Sequence, residues 1–228
     1  MFTYLLLDLG TLLFPLLFSF EKKVQFYLKW KFVFPSILIT AIYFLAWDYF
    51  FTRNGIWSFN PEYLVGIYVS GLPLEEILFF ICVPYACLFI YAVLRDYIML
   101  TVTSVSFNRY LIPLIVFLLV IGVVYRQLTY TSVTFISAAL FLSFLIFLVR
   151  PNYLFIFFTM YAIHLFPFII INGILTALPV VSYNAKFISG VHIGTIPVED
   201  TIYSMLMLLM NVSIYEGFQH FAKRKLNS

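Results

Sequence analysis

Long apolar runs separated by short polar stretches dominate the pattern of this chain. An α-helix needs about 20 mostly apolar residues to cross the hydrocarbon core of a bilayer. Seven runs approach this length, and we predict a membrane-spanning helix in each of them. The predicted fold class is therefore all-α, a polytopic membrane protein with a single membrane domain over residues 1–228. The predicted spans are Phe2–Phe20, Phe32–Phe51, Leu72–Leu94, Tyr110–Tyr125, Thr131–Val149, Tyr153–Leu178 and Pro197–Gln219.

Two of the connections between these runs are long, and their sequences match. Asn60–Glu76 reads NPEYLVGIYVSGLPLEE, and Asn184–Asp200 reads NAKFISGVHIGTIPVED. The two segments align without a gap at an offset of 124 residues (184 − 60). An asparagine, a glycine, a proline and a glutamate are identical, and the final carboxylate is kept as Glu76 in one copy and Asp200 in the other. The match predicts an internal duplication.

The duplication divides the predicted spans into two groups of three. Residues 1–95 form the first predicted repeat, residues 127–219 form the second, and the fourth span joins them. Because a single span separates the repeats, both have the same orientation in the membrane. Parallel repeats are related by an axis along the membrane normal. We therefore expect the two acidic motifs close together, or at equivalent places on one cavity.

Composition supports a membrane protein and excludes an ordinary soluble domain. Hydrophobic residues make up 64% of the chain, charged residues only 10%, and the mean hydropathy is +1.04. A soluble domain has roughly 25% charged residues. The net charge of +3 gives no support to a nucleic-acid partner, because membrane topology explains where the basic residues lie.

The basic residues fall mainly on one side of the predicted membrane domain. With the N-terminus outside, 10 of the 13 Lys and Arg residues lie on one side and 3 on the other. The positive-inside rule makes the crowded side cytoplasmic. We expect a multi-pass protein of the cell membrane with its N-terminus outside and its C-terminus in the cytoplasm. The cytoplasmic group is Lys22, Lys23, Lys29, Lys31, Arg95, Arg109, Arg150, Lys223, Arg224 and Lys225, and the outer group is Arg53, Arg126 and Lys186.

Paired carboxylates at the start of the third and seventh spans are the candidate chemistry. Glu75 and Glu76 follow one proline closely, and Glu199 and Asp200 follow the other. A proline and acids in the first turn also suit a plain helix start, but that role does not require the whole approach segment to be repeated. Acids at membrane depth are usually paired or functional. One carboxyl can donate a proton while its neighbour accepts one, so these four residues are candidate acid–base groups.

Other features carry weaker signals. Aromatic residues make up 21% of the chain; they suit lipid-facing surfaces, and together they also suit a pocket for a long polyene or a carbocation. Asp8 and Asp48 lie in or at the ends of spans without a clear counterpart in the second repeat, and His164 stands alone within a span. No cluster has metal-ligand spacing and no dinucleotide or nucleotide motif occurs in the sequence, so we expect neither a metal nor a cofactor.

The duplicated acidic motif resembles a known family. Pro73-Leu74-Glu75-Glu76 and Pro197-Val198-Glu199-Asp200, together with Tyr215-Glu216 late in the last span, are similar to motifs of the membrane-integral lycopene cyclases. These form the carotenoid cyclase-domain family of bacteria, archaea and some fungi. Some members use two small subunits with one motif each. This sequence resembles the form in which both are fused in one chain.

The resemblance implies an isomerase, an intramolecular lyase of carotenoid biosynthesis, with no net redox change and no cofactor. An acid protonates the terminal double bond of lycopene, the tertiary cation closes a six-membered ring, and a base removes a proton to leave a β-ionone ring. The resemblance assigns these roles to Glu75, Glu76, Glu199 and Asp200 without deciding which acid of each pair donates. The implied partners are lycopene or a similar polyene and the lipid bilayer. The number of rings per molecule, giving γ- or β-carotene, and the oligomeric state stay open.

Other functions suit parts of the same pattern. A seven-span retinal protein needs a Schiff-base lysine in its last span, and none occurs between Pro197 and Gln219. A proton-coupled transporter of a small apolar or amphipathic solute is the stronger alternative, because paired repeats and membrane acids suit alternating access. A membrane subunit with no catalytic role is a third. A cyclase changes the pigment composition of a membrane, whereas the other two do not.

Overall fold

The computed structural model describes residues 2–97 and 105–227, and it is mostly helical. We number its helices in chain order, with short 3₁₀ turns at Phe26–Lys29 and Pro61–Tyr63 and a π-helical turn at Leu145–Val149. The helices are α1 (Thr3–Phe18), α2 (Trp30–Arg53), α3 (Leu74–Tyr97), α4 (Val105–Arg109), α5 (Ile112–Val124), α6 (Thr129–Phe144), α7 (Leu154–Ala177) and α8 (Val198–Asn227). The strands are β1 (Trp57–Phe59), β2 (Tyr68–Val69), β3 (Leu72–Pro73), β4 (Val181–Tyr183), β5 (His192–Ile193) and β6 (Ile196–Pro197).

Five helical segments of the described residues are long and apolar enough to cross a membrane. This agrees with the predicted all-α class and with a membrane protein. Helix α1 is apolar but shorter, with 16 residues, and α8 is not among the five. The predicted count of seven spans therefore stays a prediction. The five segments are Phe26–Arg53, Leu74–Asp96, Phe107–Val124, Thr129–Val149 and Leu154–Ala177.

The chain forms two compact units. The first comprises Met1–Phe50, Pro61–Met99 and Met207–Ser228. The second comprises Phe51–Asn60 and Leu100–Leu206. The polar connection after α2 is thus divided, and its strand β1 belongs to the second unit.

Large aromatic side chains form the interior of the first unit, where α1 packs along α3. The ring of Tyr85 contacts that of Phe26, and the ring of Phe44 contacts that of Phe80. The buried hydroxyl of Tyr85 is paired with Ser19 Oγ at 2.6 Å and accepts a hydrogen bond from Trp30 Nε1 at 3.0 Å. Satisfying such a hydroxyl matters because an unpaired polar group is costly away from water.

In the second unit, a tight turn brings α5 and α6 together as a helical hairpin. Gly122 of α5 lies directly against the backbone of α6. A Cβ atom at this position would lie 2.6 Å from Ile136 Cγ1 and 3.3 Å from the backbone oxygen of Ser132. The absence of a side chain at Gly122 therefore sets how closely these helices pack.

Small β-hairpins lead directly into the two acidic helices. Strands β2 and β3 pair ahead of α3, with Tyr68 opposite Pro73, and β5 and β6 pair ahead of α8, with His192 opposite Pro197. The backbone N–H of Leu74 donates to Ile67 O at 2.9 Å, and the corresponding bond from Val198 to Val191 O is 3.0 Å long. Each hairpin thereby fixes the direction in which its helix starts.

Corresponding elements keep a constant spacing along the chain. Helix α2, strands β1 to β3 and the start of α3 recur as α7, β4 to β6 and the start of α8, at an offset of 124 residues (198 − 74). Helices α1 and α6 have the same length and an offset of 126 residues (129 − 3). The two-residue difference arises in the connection to the following long helix.

Candidate functional site

The first acid of each motif is fully buried at the start of its helix. Glu75 and Glu199 are both 0% exposed. The backbone N–H of Val65 donates to Glu75 Oε1 at 2.5 Å, and that of Ser189 donates to Glu199 Oε1 at 2.6 Å. Val65 and Ser189 occupy matching positions of the two approach segments (189 − 65 = 124). Each approach segment therefore holds one oxygen of the acid that follows it.

The second acid of each motif accepts a hydrogen bond from a tyrosine. The hydroxyl of Tyr4 on α1 donates to Glu76 Oε2 at 2.6 Å. The hydroxyl of Tyr130 on α6 donates to Asp200 Oδ1 at 2.7 Å. Both tyrosines are the second residue of a 16-residue helix. A short hydrogen bond of this kind stabilises the carboxylate form of the acid.

The acids of the second motif have further donors. Asp200 Oδ2 accepts hydrogen bonds from Asn172 Nδ2 at 2.9 Å and from the Tyr183 hydroxyl at 2.7 Å. Glu199 Oε1 also accepts from Thr131 Oγ1 at 2.5 Å. These donors come from α6, α7 and β4, so they meet only in the folded protein.

An aromatic cluster surrounds Asp200. The ring of Tyr130 stacks on that of Tyr183 with centroids 6.0 Å apart and an interplanar angle of 3°. Trp57 lies edge-on to Tyr130 at 5.1 Å and to Tyr203 at 6.1 Å. The faces of such rings carry partial negative charge and attract cations.

One oxygen in each first acid has no partner among the described residues. Glu75 Oε2 and Glu199 Oε2 are buried and accept no hydrogen bond from residues 2–97 or 105–227. A buried carboxyl oxygen without a donor lowers stability, and its presence at both motifs favours a functional role over a purely structural one. The two oxygens are candidates for exchanging a proton with a bound molecule.

Two more acids lie in the first unit, where Asp8 and Asp48 are each 2% exposed. Asp8 is four residues after Tyr4 on α1 and therefore on the same helix face. Its charge interacts with those of Glu76 and Glu75. Asp48 and Asp8 both act electrostatically on Tyr4. The first motif thus lies in a more acidic environment than the motif sequence alone indicates.

Tyr215 and Glu216 lie at a distance from the acids of the first unit. Arg95 Nη1 donates to Glu216 Oε1 at 2.5 Å, and the Tyr91 hydroxyl donates to the same oxygen at 2.8 Å. The rings of Tyr91 and Tyr215 meet edge to face, with centroids 6.2 Å apart. Arg95 is 20 residues beyond Glu75 on α3, which corresponds to about 30 Å along a helix. This cluster therefore joins α3 to the later part of α8 and does not contact the acids of the first motif.

All four predicted acids are buried, and each unit contains one of the two adjacent pairs. Sequence reasoning missed the side chains that hold them, above all Tyr4, Tyr130 and Tyr183. The sequence does contain a clue to Tyr4 and Tyr130, because α1 and α6 both begin with Thr-Tyr. Aligning the first and fifth spans with a two-residue shift would have found it. Within the described residues, no group of three or more His, Cys, Asp or Glu side chains is arranged to hold a metal ion.

A known protein family matches most of the chain. A family model described as lycopene cyclase matches residues 1–94 and 127–218, which is more than half of the chain. The chain belongs to the lycopene cyclase family. The family resemblance predicted from the two acidic motifs is therefore confirmed, and the match favours a lycopene cyclase over the transporter considered from the sequence.

Curated relatives of this lycopene cyclase family member are fungal and much longer. The bifunctional lycopene cyclase/phytoene synthase of Aspergillus oryzae is 27% identical over 73 residues, 32% of this chain and 12% of the relative. That of Aspergillus niger is 25% identical over 112 residues, 45% of this chain and 19% of the relative. That of Neurospora crassa is 36% identical over 47 residues, 21% of this chain and 8% of the relative. The matched stretch is thus less than a fifth of each relative's length. No solved structure matches the chain significantly.

Proposed function

We propose that the chain is a lycopene β-cyclase of carotenoid biosynthesis, which closes the acyclic ends of lycopene into β-ionone rings. The observation that carries the proposal is the pair of adjacent buried acids, present twice, with one oxygen of each first acid lacking a partner. Membership of the lycopene cyclase family supports lycopene as the substrate. The reaction has no net redox change, since the proton added at the start equals the proton lost at the end.

The hydrogen bonds suggest different roles for the two acids of each motif. Glu75 and Glu199 are the proton donors in our proposal, acting through the oxygens that no described residue contacts. Glu76 and Asp200, which accept from tyrosine hydroxyls, stay carboxylates and act as the bases. A donor and a base side by side supply both proton transfers. The proton goes to the terminal double bond, the new carbon–carbon bond closes the ring, and the base removes the ring proton.

Aromatic rings beside Asp200 suit the cationic intermediate. Tyr130 and Tyr183 donate hydrogen bonds to Asp200 and present stacked rings next to it. A ring face stabilises a nearby cation by about 0.5–2 kcal/mol. Burial of the acids also keeps water from adding to the cation before the ring closes.

The membrane arrangement is part of the proposal. We propose seven spans, with α1 and α8 crossing in addition to the five long apolar segments, and repeats over residues 1–95 and 127–219. The matching bounds of the helices and the two segments of the family match support this duplication. The distribution of Lys and Arg supports an outer N-terminus and a cytoplasmic C-terminus. A substrate as apolar as lycopene then reaches the acids from the bilayer.

The decisive experiment is expression in a bacterium that accumulates lycopene. We expect γ-carotene, β-carotene or both to replace lycopene, as measured by chromatography of the extracted pigments. The same host with an empty vector is the control. Unchanged lycopene, with the protein present in the membrane fraction, would contradict the proposed activity. The ratio of monocyclic to bicyclic product reports how many ends are closed.

A further inference from the structure

The two acidic sites differ in residues outside the duplicated motif. Helices α1 and α6 correspond residue by residue at an offset of 126, so Asp8 of α1 matches Thr134 of α6 (134 − 8 = 126). Helices α2 and α7 correspond at an offset of 124, so Asp48 matches Asn172 (172 − 48 = 124). The first site therefore has two carboxyl groups where the second has a hydroxyl and an amide.

Asp8 is a buried carboxyl group that forms no ion pair with the described residues. Its side chain is 2% exposed, and Oδ2 accepts no hydrogen bond from them. It lies close enough to Glu75, Glu76 and Cys82 on α3 to influence their ionisation, and they influence its own. The titratable groups identified around it on α1 and α3 are Tyr4, Glu75, Glu76 and Cys82, and Asp48 of α2 acts in turn on Tyr4.

Such a cluster has to retain protons. Buried carboxylates that are close together cannot all be ionised, because each loses its hydration and repels the others. In the second site, Asp200 has three donors and Glu199 has two. Among the described residues, Asp8 Oδ2 accepts no hydrogen bond, so we assign a proton to Asp8.

We propose that Asp8 is a proton-relay residue of the first acidic site, acting through Glu75 and Glu76, and that the second site works without an equivalent. This inference rests on the proposed cyclase function. Cyclisation leaves the donor as a carboxylate and the base protonated, so one proton has to return from Glu76 to Glu75 before the next turnover. A protonated third carboxyl beside both gives its own proton to Glu75, which cyclisation leaves as a carboxylate, and then takes the proton from Glu76. No proton is gained or lost in the cycle.

The kinetic test compares Asp8→Asn, Asp8→Glu and the matched control Thr134→Val, using lycopene in membrane vesicles. We expect Asp8→Asn to lower kcat at least about tenfold with little change in KM, and to alter the pH profile of the rate. Asp8→Glu restores part of the rate because it restores a carboxyl group. Thr134→Val keeps the wild-type rate and profile, because it removes a hydroxyl that has no partner among the described residues.

A second measurement does not need the substrate. Infrared spectroscopy of the purified protein detects the C=O stretch of protonated carboxyl groups. We expect Asp8→Asn to lose part of this band and Thr134→Val to keep it. An unchanged band in Asp8→Asn would overturn the proposal whether or not the wild type cyclises lycopene.

The outcomes separate this proposal from the proposed function. Wild-type kcat and pH profile in Asp8→Asn would exclude the relay, and so would a fall in rate explained wholly by less protein in the membrane. If the wild type leaves lycopene unchanged while Asp8→Asn loses the band, the cyclase function fails and the proton on Asp8 is supported.

Discussion

At the scale of single residues, the first acid of each motif uses its two oxygens differently. A backbone N–H holds one oxygen of Glu75 or Glu199, whereas the other meets no donor among the described residues. A backbone donor ten residues earlier in the chain keeps the carboxyl oriented without restricting its chemistry. One oxygen of the carboxyl group therefore fixes its orientation, and the other is available for reaction.

Replacement of these acids by their amides tests the proposed proton donors. Glu75→Gln and Glu199→Gln keep the shape of the side chain and an oxygen that accepts from Val65 or Ser189, but they remove the exchangeable carboxyl proton. We expect each to lower cyclisation at its own site about 100-fold or more, as measured by initial rates in membrane vesicles.

The single variants also distinguish one shared site from two. Loss of all product in either variant indicates that both motifs serve one reaction centre. Partial loss indicates two centres. Full activity in both would contradict the assignment of Glu75 and Glu199 as proton donors. Tyr161→Phe is a suitable control, because this tyrosine donates to the backbone of Thr201 and to neither acid.

The acids were predictable from the sequence, whereas most of their partners were not. Glu75, Glu76, Glu199 and Asp200 occur in a repeated segment, so local comparison finds them. Tyr4 and Tyr130 lie 72 and 70 residues from the acids they contact. Such pairs depend on which helices pack together. In a largely apolar helix, the pattern of apolar and polar residues does not mark the face that packs against a neighbour.

At the scale of elements, helix bounds followed apolar runs well except where polar residues are buried. Predicted spans two to six correspond to long helical segments in the structure. The sixth, Tyr153–Leu178, differs from α7 (Leu154–Ala177) by one residue at each end. Helix α8 contains the buried Glu199, Asp200 and Asn211 and the half-buried Glu216, and these polar residues lower its hydropathy without shortening it. The short hairpins before α3 and α8 had no strand signal, because each strand has only two residues.

The packing of α5 on α6 can be tested at Gly122. We expect Gly122→Ala to destabilise the protein by about 1–3 kcal/mol, because the new methyl group clashes with Ile136 and nearby backbone. The measurement is thermal unfolding in detergent. The matched control is Gly10→Ala in α1, where a Cβ meets no atom within 4 Å. Gly10→Ala is expected to be neutral or stabilising by up to about 1 kcal/mol, and equal losses in both variants would contradict the close approach.

At the scale of the whole molecule, composition and charge were the most informative sequence features. The hydrophobic fraction of 64% decided the class before any element was assigned. The family match covers residues 1–94 and 127–218, whereas the predicted repeats rest on the acidic motif and the order of spans and stay a prediction. The number of membrane-spanning helices was harder to predict. Length and hydropathy do not decide whether a 16-residue helix, or a helix with buried polar groups, crosses the membrane.

The proposed topology predicts which loops face outward. Arg126→Cys should react with a membrane-impermeant maleimide added to intact cells, whereas Lys22→Cys should react only after the cells are opened. Both positions are exposed. The native Cys82 and Cys87 are buried and give a low background. The reverse labelling pattern would place the N-terminus in the cytoplasm and contradict the proposal.

The pairing of β1 with β4 bears on how such a chain could have arisen. Trp57 lies opposite Tyr183, and Phe59 lies opposite Val181. Under the proposed duplication, Trp57 corresponds to Val181 and Phe59 to Tyr183, so each strand of the ladder pairs with its own repeat counterpart about a local twofold axis. An ancestor with a single repeat would have been able to form this ladder between two identical copies, as in an isologous homodimer. In this proposal, gene fusion would have joined two copies that already paired, and the difference between Asp8 and Thr134 would have arisen after fusion, when the two halves were free to differ.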